Sequence, residues 1–337
     1  MDLGVMIEGQ EGLGWDLWRR IARLTEDAGF ESLWRSDHFH SLMGARDRDA
    51  LETFISFVVA AEETERVRFG PLVASMTFRH PSLLARMAAQ LDQLSGGRFV
   101  LGVGAGWNVG EHEAFGLPFP SLRERMDRLE EGVQVALALL GDEPASFEGR
   151  YYRLHEAISY PRPVQRPLPL LVGGRGERRT LRITARYAQE WNFAGVDLDE
   201  YRRLTGVLAA HCADVGRDPS EIRHSQMAGF VIGRDEAELR AHFERIATQA
   251  PALVQAGGRA IDADQRQAAT RPRRSVEEIL AVLATRGWLI GTPDAVVEQI
   301  GRLEEAGISG VMLQHHALTD FETLELVASQ VLPQVQR

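Results

Sequence analysis

The stretch RFVLGVGAGWNVGEHEAFGLPFP, residues Arg98–Pro120, decides how the rest of the chain is interpreted. It begins with a run of apolar residues from Phe99 to Val103, which is typical of a buried strand in a parallel sheet. Glycines, which let a backbone approach a ligand closely, interrupt it at Gly102, Gly104 and Gly106. Trp107 and Asn108 follow. The pattern indicates the rim of a binding site, with a ligand-free turn as the alternative.

Outward from this stretch, apolar strand-like segments alternate with amphipathic segments of helical period. Strands are predicted at residues 3–7, 30–34, 67–75, 99–103, 170–172, 190–194, 224–232 and 309–313. Helices are predicted at residues 15–28, 51–63, 82–94, 122–140, 178–186, 198–215, 276–285, 293–306 and 321–332. About eight strand–helix units in one run predict an α/β fold, a (β/α)8 TIM barrel. An open doubly wound sheet is disfavoured, because residues 8–11 put carboxylates where its glycine-rich loop would follow the first strand.

Two segments interrupt the barrel pattern, and residues 1–337 are expected to form one domain that contains both. The first is an excursion at about residues 141–169, with a short hairpin at 147–152 and a proline-rich connector at 161–169. The second, at about residues 250–274, is rich in Ala, Gly, Gln, Arg and Asp. We interpret it as a mobile loop or lid, and a disordered linker is the alternative.

Composition excludes several classes of protein. The formal net charge of −10 and the absence of a basic stripe argue against a nucleic-acid partner. One cysteine, Cys212, excludes a disulfide framework. All 38 basic residues are arginines, so a lysine Schiff base is impossible. Without a signal peptide or an apolar run of membrane-spanning length, the chain is expected to be cytoplasmic with no membrane partner.

Polar clusters follow most of the predicted strands, at the face where barrels of this kind keep their active sites. They lie at residues 8–11, 37–38, 75–80, 104–108, 173–179, 191–192 and 314–316. Each is unremarkable alone, since a single histidine near a strand end is more often structural than catalytic. Their convergence at one face favours a functional site.

One of these clusters has the pattern of an anion site. Gly173, Gly174, Arg175 and Gly176 precede a predicted helix that carries Arg178 and Arg179. Free backbone N–H groups and the helix dipole favour phosphate at such a position. An ordinary strand-to-helix turn is the alternative.

No metal site is predicted. His38 and His40 alternate along an extended segment and therefore point apart, while His315 and His316 are adjacent in sequence. The chain also lacks a serine nucleophile elbow, a phosphate-binding Walker loop and a zinc-ligand pattern.

Several motifs in order along the chain carry a resemblance to a known family. They occupy residues 33–38, 77–81, 104–108, 111–112, 116–120, 172–174, 178–182, 185–188, 191–192 and 291–293. With these motifs the chain resembles the bacterial luciferase-like monooxygenase superfamily, within it the deazaflavin (coenzyme F-420)-dependent oxidoreductases. The resemblance covers nearly the whole chain and implies a barrel with an insertion.

The resemblance also implies a flavin-type ring in the barrel mouth, with its phosphate on residues 173–179. The end of the third strand would press against the ring, where relatives often carry a non-proline cis peptide. His38 would handle proton chemistry beside the reacting ring carbon, and Asp37 would orient it. The implied cofactor-binding residues are Ala74, Ser75, Met76, Thr77, Gly104, Gly106, Trp107, Asn108, Gly173, Gly174, Arg175, Gly176, Arg178 and Arg179.

The activity implied by the resemblance is hydride transfer between coenzyme F-420 and a small organic substrate. Two alternatives stay open: an FMN-dependent two-component monooxygenase that uses O2 and reduced flavin, and a non-catalytic flavin-binding protein. The expected partners are a second copy of the chain and a reductase or dehydrogenase that supplies the cofactor. Some deazaflavin relatives use lysine at the phosphate and substrate, so here Arg175, Arg178 or Arg179 must substitute.

Overall fold

The computed structural model describes residues 1–195, 197–255 and 275–336. The strands of this part are β1 (Asp2–Ile7), β2 (Ser32–Arg35), β3 (Arg68–Pro71), β4 (Ala74–Ser75), β5 (Leu101–Gly104), β6 (Ala145–Glu148), β7 (Arg153–Ala157), β8 (Leu170–Gly173), β9 (Glu190–Ala194), β10 (Arg223–Ile232), β11 (Leu289–Gly291) and β12 (Gly310–His315). Its helices are α1 (Trp15–Asp27), α2 (Thr53–Glu63), α3 (Pro81–Leu94), α4 (Val109–Ala114), α5 (Leu122–Leu140), α6 (Thr180–Tyr187), α7 (Leu198–Asp214), α8 (Glu236–Gln249), α9 (Pro251–Gln255), α10 (Val276–Ala284), α11 (Pro293–Glu305), α12 (Phe321–Gln330) and α13 (Leu332–Val335).

The central sheet is a closed parallel barrel. Its hydrogen-bonded order is β3-β2-β1-β12-β10-β9-β8-β5-β4, and every pair in it is parallel. The two terminal strands of this order, β3 and β4, are consecutive pieces of one barrel position, and a parallel bridge between Phe69 and Phe99 joins the edges. The barrel thus has eight positions, and the predicted (β/α)8 fold is confirmed. Outside it, β11 extends the sheet from β10.

The two faces of the barrel strands bury different apolar sets. In β1, Leu3, Val5 and Ile7 belong to the large core between the strands and the surrounding helices. Met6 points to the other side, as the period of two requires, and packs inside the barrel. Its partners there are Trp34, Leu72, Val100, Leu171 and Met312. This interior cluster supports the floor of the cavity described below.

The helices begin where the sequence supplies a capping side chain. Ser121, Asp197 and Asp235 each accept a hydrogen bond from the backbone N–H three residues later, at the starts of α5, α7 and α8. Such caps satisfy N–H groups that have no partner within the helix. The apolar face of α1 shows why a helix forms there, since Trp18, Ile21 and Ala22 recur at helical spacing and are buried against the barrel.

Most predicted elements appear within a few residues of their expected bounds. The prediction missed α4 and α8, and the hairpin in the excursion at 141–169 extends over β6 and β7. The predicted third strand is divided into β3 and β4, and the peptide bond between Leu72 and Val73, which lie between them, is cis. The cis peptide that the resemblance implied near residues 74–77 therefore lies just before them.

The predicted mobile segment at 250–274 is only partly described. Its first residues form α9, and Leu253 there is buried. Residues 256–274 lie outside the described part of the chain. Within the described ranges, no helix combines the length and the apolar character needed to cross a membrane.

Candidate active site

A cavity of about 560 Å³ opens at the carboxyl ends of the barrel strands. Its volume falls within the range of small-molecule and cofactor sites. Residues from most of the barrel positions and their following loops line it: Met6, Glu8, Ser36, Asp37, His38, Leu42, Met43, Leu72, Val73, Ser75, Phe78, Gly106, Trp107, Asn108, Glu111, Arg175, Ala194, Gly195, Met227, Gly229, Leu253, Arg286, Trp288 and Gln314. The lining combines apolar walls with a small number of ionisable groups.

The floor of the cavity is built around Val73. A Cβ added to Gly104 would lie 2.7 Å from a Val73 methyl carbon, and one added to Gly173 would lie 2.8 Å from the other. Both distances are shorter than any carbon contact allows, so these glycines make room for Val73. Val73 lines the cavity, whereas Gly104 and Gly173 lie behind it, and their predicted contact with the cofactor stays a prediction.

The imidazole of His38 is held by a buried carboxylate. His38 Nδ1 lies 2.7 Å from Glu111 Oε2, and the other oxygen of Glu111 accepts a hydrogen bond of 2.7 Å from the Phe39 backbone. Glu111 is fully buried on α4, which begins where the Asn108 side chain caps the backbone N–H of Glu111. Trp107 packs its ring edge-to-face with His38, at a centroid distance of 5.5 Å.

The surroundings of His38 favour its charged form. Burial by itself lowers the pKa of His38, but the hydrogen bond to Glu111 and the charge of Glu111 outweigh it, with Glu8 and Asp37 acting in the same direction. The pKa of His38 therefore lies above its ordinary value of 6.5. A histidine whose pKa is raised keeps its proton to a higher pH than an ordinary histidine, and it can deliver that proton to a substrate.

Asp37 faces away from His38, in keeping with the alternation of an extended segment. Its carboxylate accepts hydrogen bonds from the Ser75 backbone at 3.1 Å and from Arg79 at 2.6 Å. Arg79 also bonds to Glu52. Asp37 was predicted to orient His38, but the side chain that hydrogen bonds to the imidazole is Glu111. Asp37 instead fixes the backbone of β4 at the edge of the cavity.

The residues after the cis peptide divide between the cavity and the core. Ser75 lines the cavity, whereas Ala74 and Met76 are buried in the core behind it. Met76 packs on α5, where a Cβ at Gly132 would meet its sulfur. The side chains of Ala74 and Met76 thus pack away from the cavity, and the predicted contact of this strand end with the cofactor stays a prediction. Thr77 hydrogen bonds to Ser75 at 2.7 Å and to His112 at 2.7 Å.

The turn after β8 places its arginines in three different surroundings. Arg175 lines the cavity and donates to the carbonyl of Gly195 at 3.4 Å. Arg179 lies 2.7 Å from Asp127 and 2.9 Å from Glu130, two carboxylates on α5. Arg178 is exposed, as are Gly174 and Gly176. Of the three arginines, Arg175 faces the cavity and Arg179 is already neutralised by ion pairs, so Arg179 is a poor phosphate ligand.

The opposite wall contains residues that the sequence did not single out. Arg286 and Trp288 line it, and both lie just before β11 in the chain. The ring of His316 stacks on Trp288 at 5.2 Å. Burial lowers the pKa of His316 to about 4, with the charge of Glu8 opposing the shift, so the ring is neutral near pH 7. No local motif marks Trp288 and Arg286, since they reach the site only through the barrel topology.

A loop between β2 and α2 covers part of the cavity and is tied down by Glu11. The Glu11 carboxylate accepts hydrogen bonds from the backbone of Leu42 at 2.7 Å and Met43 at 3.0 Å, and from Ser41 at 2.6 Å. Arg48 adds an ion pair of 3.1 Å to it. Leu42 and Met43 are thereby held in the apolar wall.

Comparisons with known proteins agree with this geometry. Residues 2–310 match the family described as luciferase-like monooxygenase. The chain is 29% identical over 324 residues to the F420-dependent hydroxymycolic acid dehydrogenase of Mycobacterium tuberculosis, covering 94% of this chain and 83% of the relative. It is 29% identical over 343 residues to the FMNH(2)-dependent dimethylsulfone monooxygenase of Pseudomonas putida, covering 97% and 90%.

Among solved structures, an F420-dependent secondary alcohol dehydrogenase in complex with an F420-acetone adduct superposes with a TM-score of 0.83. It is 21% identical and covers 100% of this chain and 99% of its own, a likeness of fold. The match over residues 2–310 shows that the chain belongs to the luciferase-like monooxygenase family. The expected family and an oxidoreductase role are thus confirmed.

Proposed function

We propose that this chain transfers a hydride between coenzyme F-420 and an organic substrate. The observation that carries the proposal is the His38–Glu111 pair, which puts an imidazole with a raised pKa in the wall of the cavity. The F420-dependent hydroxymycolic acid dehydrogenase supports it, because the alignment extends over 94% of this chain.

The residues around the cavity fit a flavin-type ring with a phosphate tail. Gly195 lines the cavity, and an added Cβ there would meet no atom of the described residues within 4 Å. Arg175 lies beside Gly195 and, among the described residues, forms no ion pair with a carboxylate, although its charge helps to lower the pKa of Glu200. Arginine suits phosphate because its planar fork can make paired hydrogen bonds.

A bound deazaflavin supplies a ring carbon that gives or accepts the hydride. The protein supplies the proton. With His38 Nδ1 donating to Glu111, Nε2 is the nitrogen available to an alcohol or carbonyl oxygen in the cavity. His38 gives its Nε2 proton to a carbonyl oxygen during reduction or takes one from an alcohol during oxidation. Leu72, Val73 and Trp288 exclude water from the reacting atoms.

An FMN-dependent monooxygenase is the second candidate, and a specific observation favours it. The dimethylsulfone monooxygenase aligns over 97% of this chain at the same identity as the F420-dependent relative. In that case the reduced flavin would come from a partner reductase and react with O2. A non-catalytic flavin-binding protein is disfavoured by the His38–Glu111 pair, which binding alone does not require.

A titration of the purified protein with F-420 and with FMN, followed by fluorescence and absorbance, tests the proposal. Micromolar binding of F-420 with little affinity for FMN is the expected result. Tight binding of FMN, together with substrate-dependent oxygen uptake, would establish the second candidate instead. Bound coenzyme that is neither reduced nor oxidised by alcohols or carbonyls would indicate the non-catalytic alternative.

We further propose that the chain is a cytoplasmic homodimer whose residues 1–337 form one domain and whose coenzyme is supplied by a separate reductase or dehydrogenase. An apolar surface on α2 and α3 supports the dimer. Ile55 is 59% exposed, Val58 40% and Leu94 47%, and the three line one groove; exposed apolar groups that lie together mark interaction sites. Sedimentation equilibrium gives the mass of the assembly, and a monomer at micromolar concentration would contradict the dimer.

A further inference from the structure

We infer that Thr77 and His112 are positioning residues that fix the direction of the Ser75 hydroxyl, so that Ser75 presents a hydrogen-bond acceptor to the cavity. The ligand group it selects is a donor, such as the imide N–H that flavin and deazaflavin rings share. The inference rests on the proposed function for the identity of that ligand. The arrangement of protons itself follows from contacts within the protein.

The three side chains form one continuous chain of hydrogen bonds. Ser75 Oγ lies 2.7 Å from Thr77 Oγ1, which lies 2.7 Å from His112 Nε2. His112 Nδ1 in turn lies 2.6 Å from the carbonyl oxygen of Asn108. Ser75 lines the cavity at one end of this chain, and the backbone carbonyl closes the other end.

The partners determine where each proton lies. A carbonyl oxygen only accepts, so His112 Nδ1 must be the donor in its bond to Asn108. Thr77 and Asn108 contact the ring with neutral groups, and no carboxylate of the described residues is hydrogen bonded to it, so the Nδ1–H tautomer is the arrangement that matches both partners. Its Nε2 is then an acceptor, and Thr77 must donate its only hydroxyl proton to it.

The tautomer of His112 determines the direction of the Ser75 hydroxyl at the cavity. Because the proton of Thr77 is committed to His112, Thr77 Oγ1 can only accept from Ser75. Ser75 therefore donates its proton to Thr77 and turns lone pairs toward the cavity. The Ser75 hydroxyl can therefore not donate a hydrogen bond to a ligand acceptor such as a carbonyl oxygen. It can accept a hydrogen bond from a ligand N–H.

The surrounding packing holds this arrangement in place. His112 is fully buried between the rings of Phe78, at 4.9 Å, and Phe119, at 4.7 Å. A Cβ at Gly106 would lie 2.4 Å from Thr77 Oγ1 and 2.5 Å from Ser75 Oγ. Gly106 therefore lets the backbone pass close to the two hydroxyls, which keeps Ser75 and Thr77 within hydrogen-bond distance of each other. The sequence spacing of residues 75, 77 and 112 does not predict that these three side chains form a chain of hydrogen bonds.

Nitrogen NMR of histidine-labelled protein tests the arrangement without any ligand. The signals of His112 are assigned by their loss in His112→Phe, which keeps an aromatic ring in the same place. The expected pattern is one protonated nitrogen, Nδ1, and one unprotonated nitrogen, Nε2. Thr77→Val should shift the Nε2 signal toward that of a nitrogen without a hydrogen bond, and Thr77→Ser should restore it. A protonated Nε2 in the wild-type protein would overturn the inference.

Titrations with F-420 and FMN test whether Thr77 acts through Ser75. Ser75→Ala and Thr77→Val are each expected to raise the Kd of the coenzyme that binds by about 3- to 10-fold, as for loss of one hydrogen bond. The double variant should bind no more weakly than Ser75→Ala alone, and Thr77→Ser should bind like the wild type. Multiplying effects in the double variant would contradict the inference. If neither coenzyme binds the wild type, the proposed function fails, while the nitrogen signals still decide the proton arrangement.

Discussion

Two strand ends of the barrel have similar glycine-rich sequences and different structures. The β5 end, residues 104–112, carries Glu111 and His112, which are fully buried and hydrogen bonded to His38 and Thr77. The β8 end, residues 173–179, is mostly exposed to solvent. The β5 end therefore organises the chemistry of the site, whereas the β8 end offers charge to a ligand.

The comparison also changes how the glycines are understood. The first glycine of each end, Gly104 and Gly173, is required by the same neighbour, because Val73 fills the space in front of both. A glycine at a strand end can thus report a close contact within the protein as well as a close contact with a ligand. The two strand ends differ more in the polar side chains that follow the glycines, which are buried and hydrogen bonded after β5 and mostly exposed after β8.

The largest expected effect is a difference in turnover between a variant that affects the β5 end and a variant at the β8 end. His38→Ala, which removes the partner of Glu111 at the β5 end, should lower turnover by about 10²–10⁴-fold if His38 is the acid or base. Arg179→Ala at the β8 end should leave turnover near the wild-type value, because Arg179 is paired with Asp127 and Glu130 on α5. Steady-state kinetics with circular dichroism as a folding control measure both. An equal loss of turnover in the two variants would show that the β5 and β8 ends do not differ in their role in the reaction.

The next effect concerns stability and uses two glycines with positive φ that both line the cavity. Gly106→Ala at the β5 end would collide with Ser75 and Thr77, while Gly195→Ala, beside Arg175, would meet no atom of the described residues within 4 Å. Their φ angles are +76° and +67°, so the backbone strain is similar. Urea denaturation should show Gly106→Ala less stable by about 1–3 kcal/mol, the cost of overpacking. Equal stabilities would show that the β5 end is loosely packed.

A smaller effect is expected on coenzyme affinity at the β8 end. Arg175→Ala should raise the Kd of the phosphate-bearing coenzyme about tenfold, with kcat nearly unchanged, because it removes a charged hydrogen-bond donor. Arg179→Ala is the matched control and should leave the Kd close to that of the wild type, since its guanidinium is occupied by α5. Should Arg179 prove the more important of the two, its ion pairs must open when the coenzyme binds.

The smallest expected effect is a pH dependence of stability that arises at the β5 end. The pKa of His38 is raised in the folded protein, so protonation of His38 stabilises the fold. This contribution is complete below the unfolded pKa of about 6.5 and is lost as the pH rises through the folded value. Glu111→Gln removes the charge that raises the pKa and should flatten this dependence in urea denaturation between pH 6 and 9. The same slope in both proteins would mean that another group is responsible.

The barrel was predictable because its information is local and repeated. Alternating strand and helix patterns over about eight units leave few ways to close a parallel sheet, and the predicted strands appear near their expected positions. The position of the site at the carboxyl ends of the strands follows from the same topology. His38, Ser75, Trp107, Asn108 and Arg175 were identified in this way and line the cavity.

The sequence by itself determined the fold, the family and the face on which the cavity opens, because periodicity and motif order are properties of the chain as written. Only the tertiary structure decided which side chains meet. Glu111 rather than Asp37 holds His38, Val73 rather than a ligand occupies the space at Gly104, and Thr77 meets His112 from 35 residues away. Such pairings depend on rotamers and on distances between strands, which no local pattern specifies.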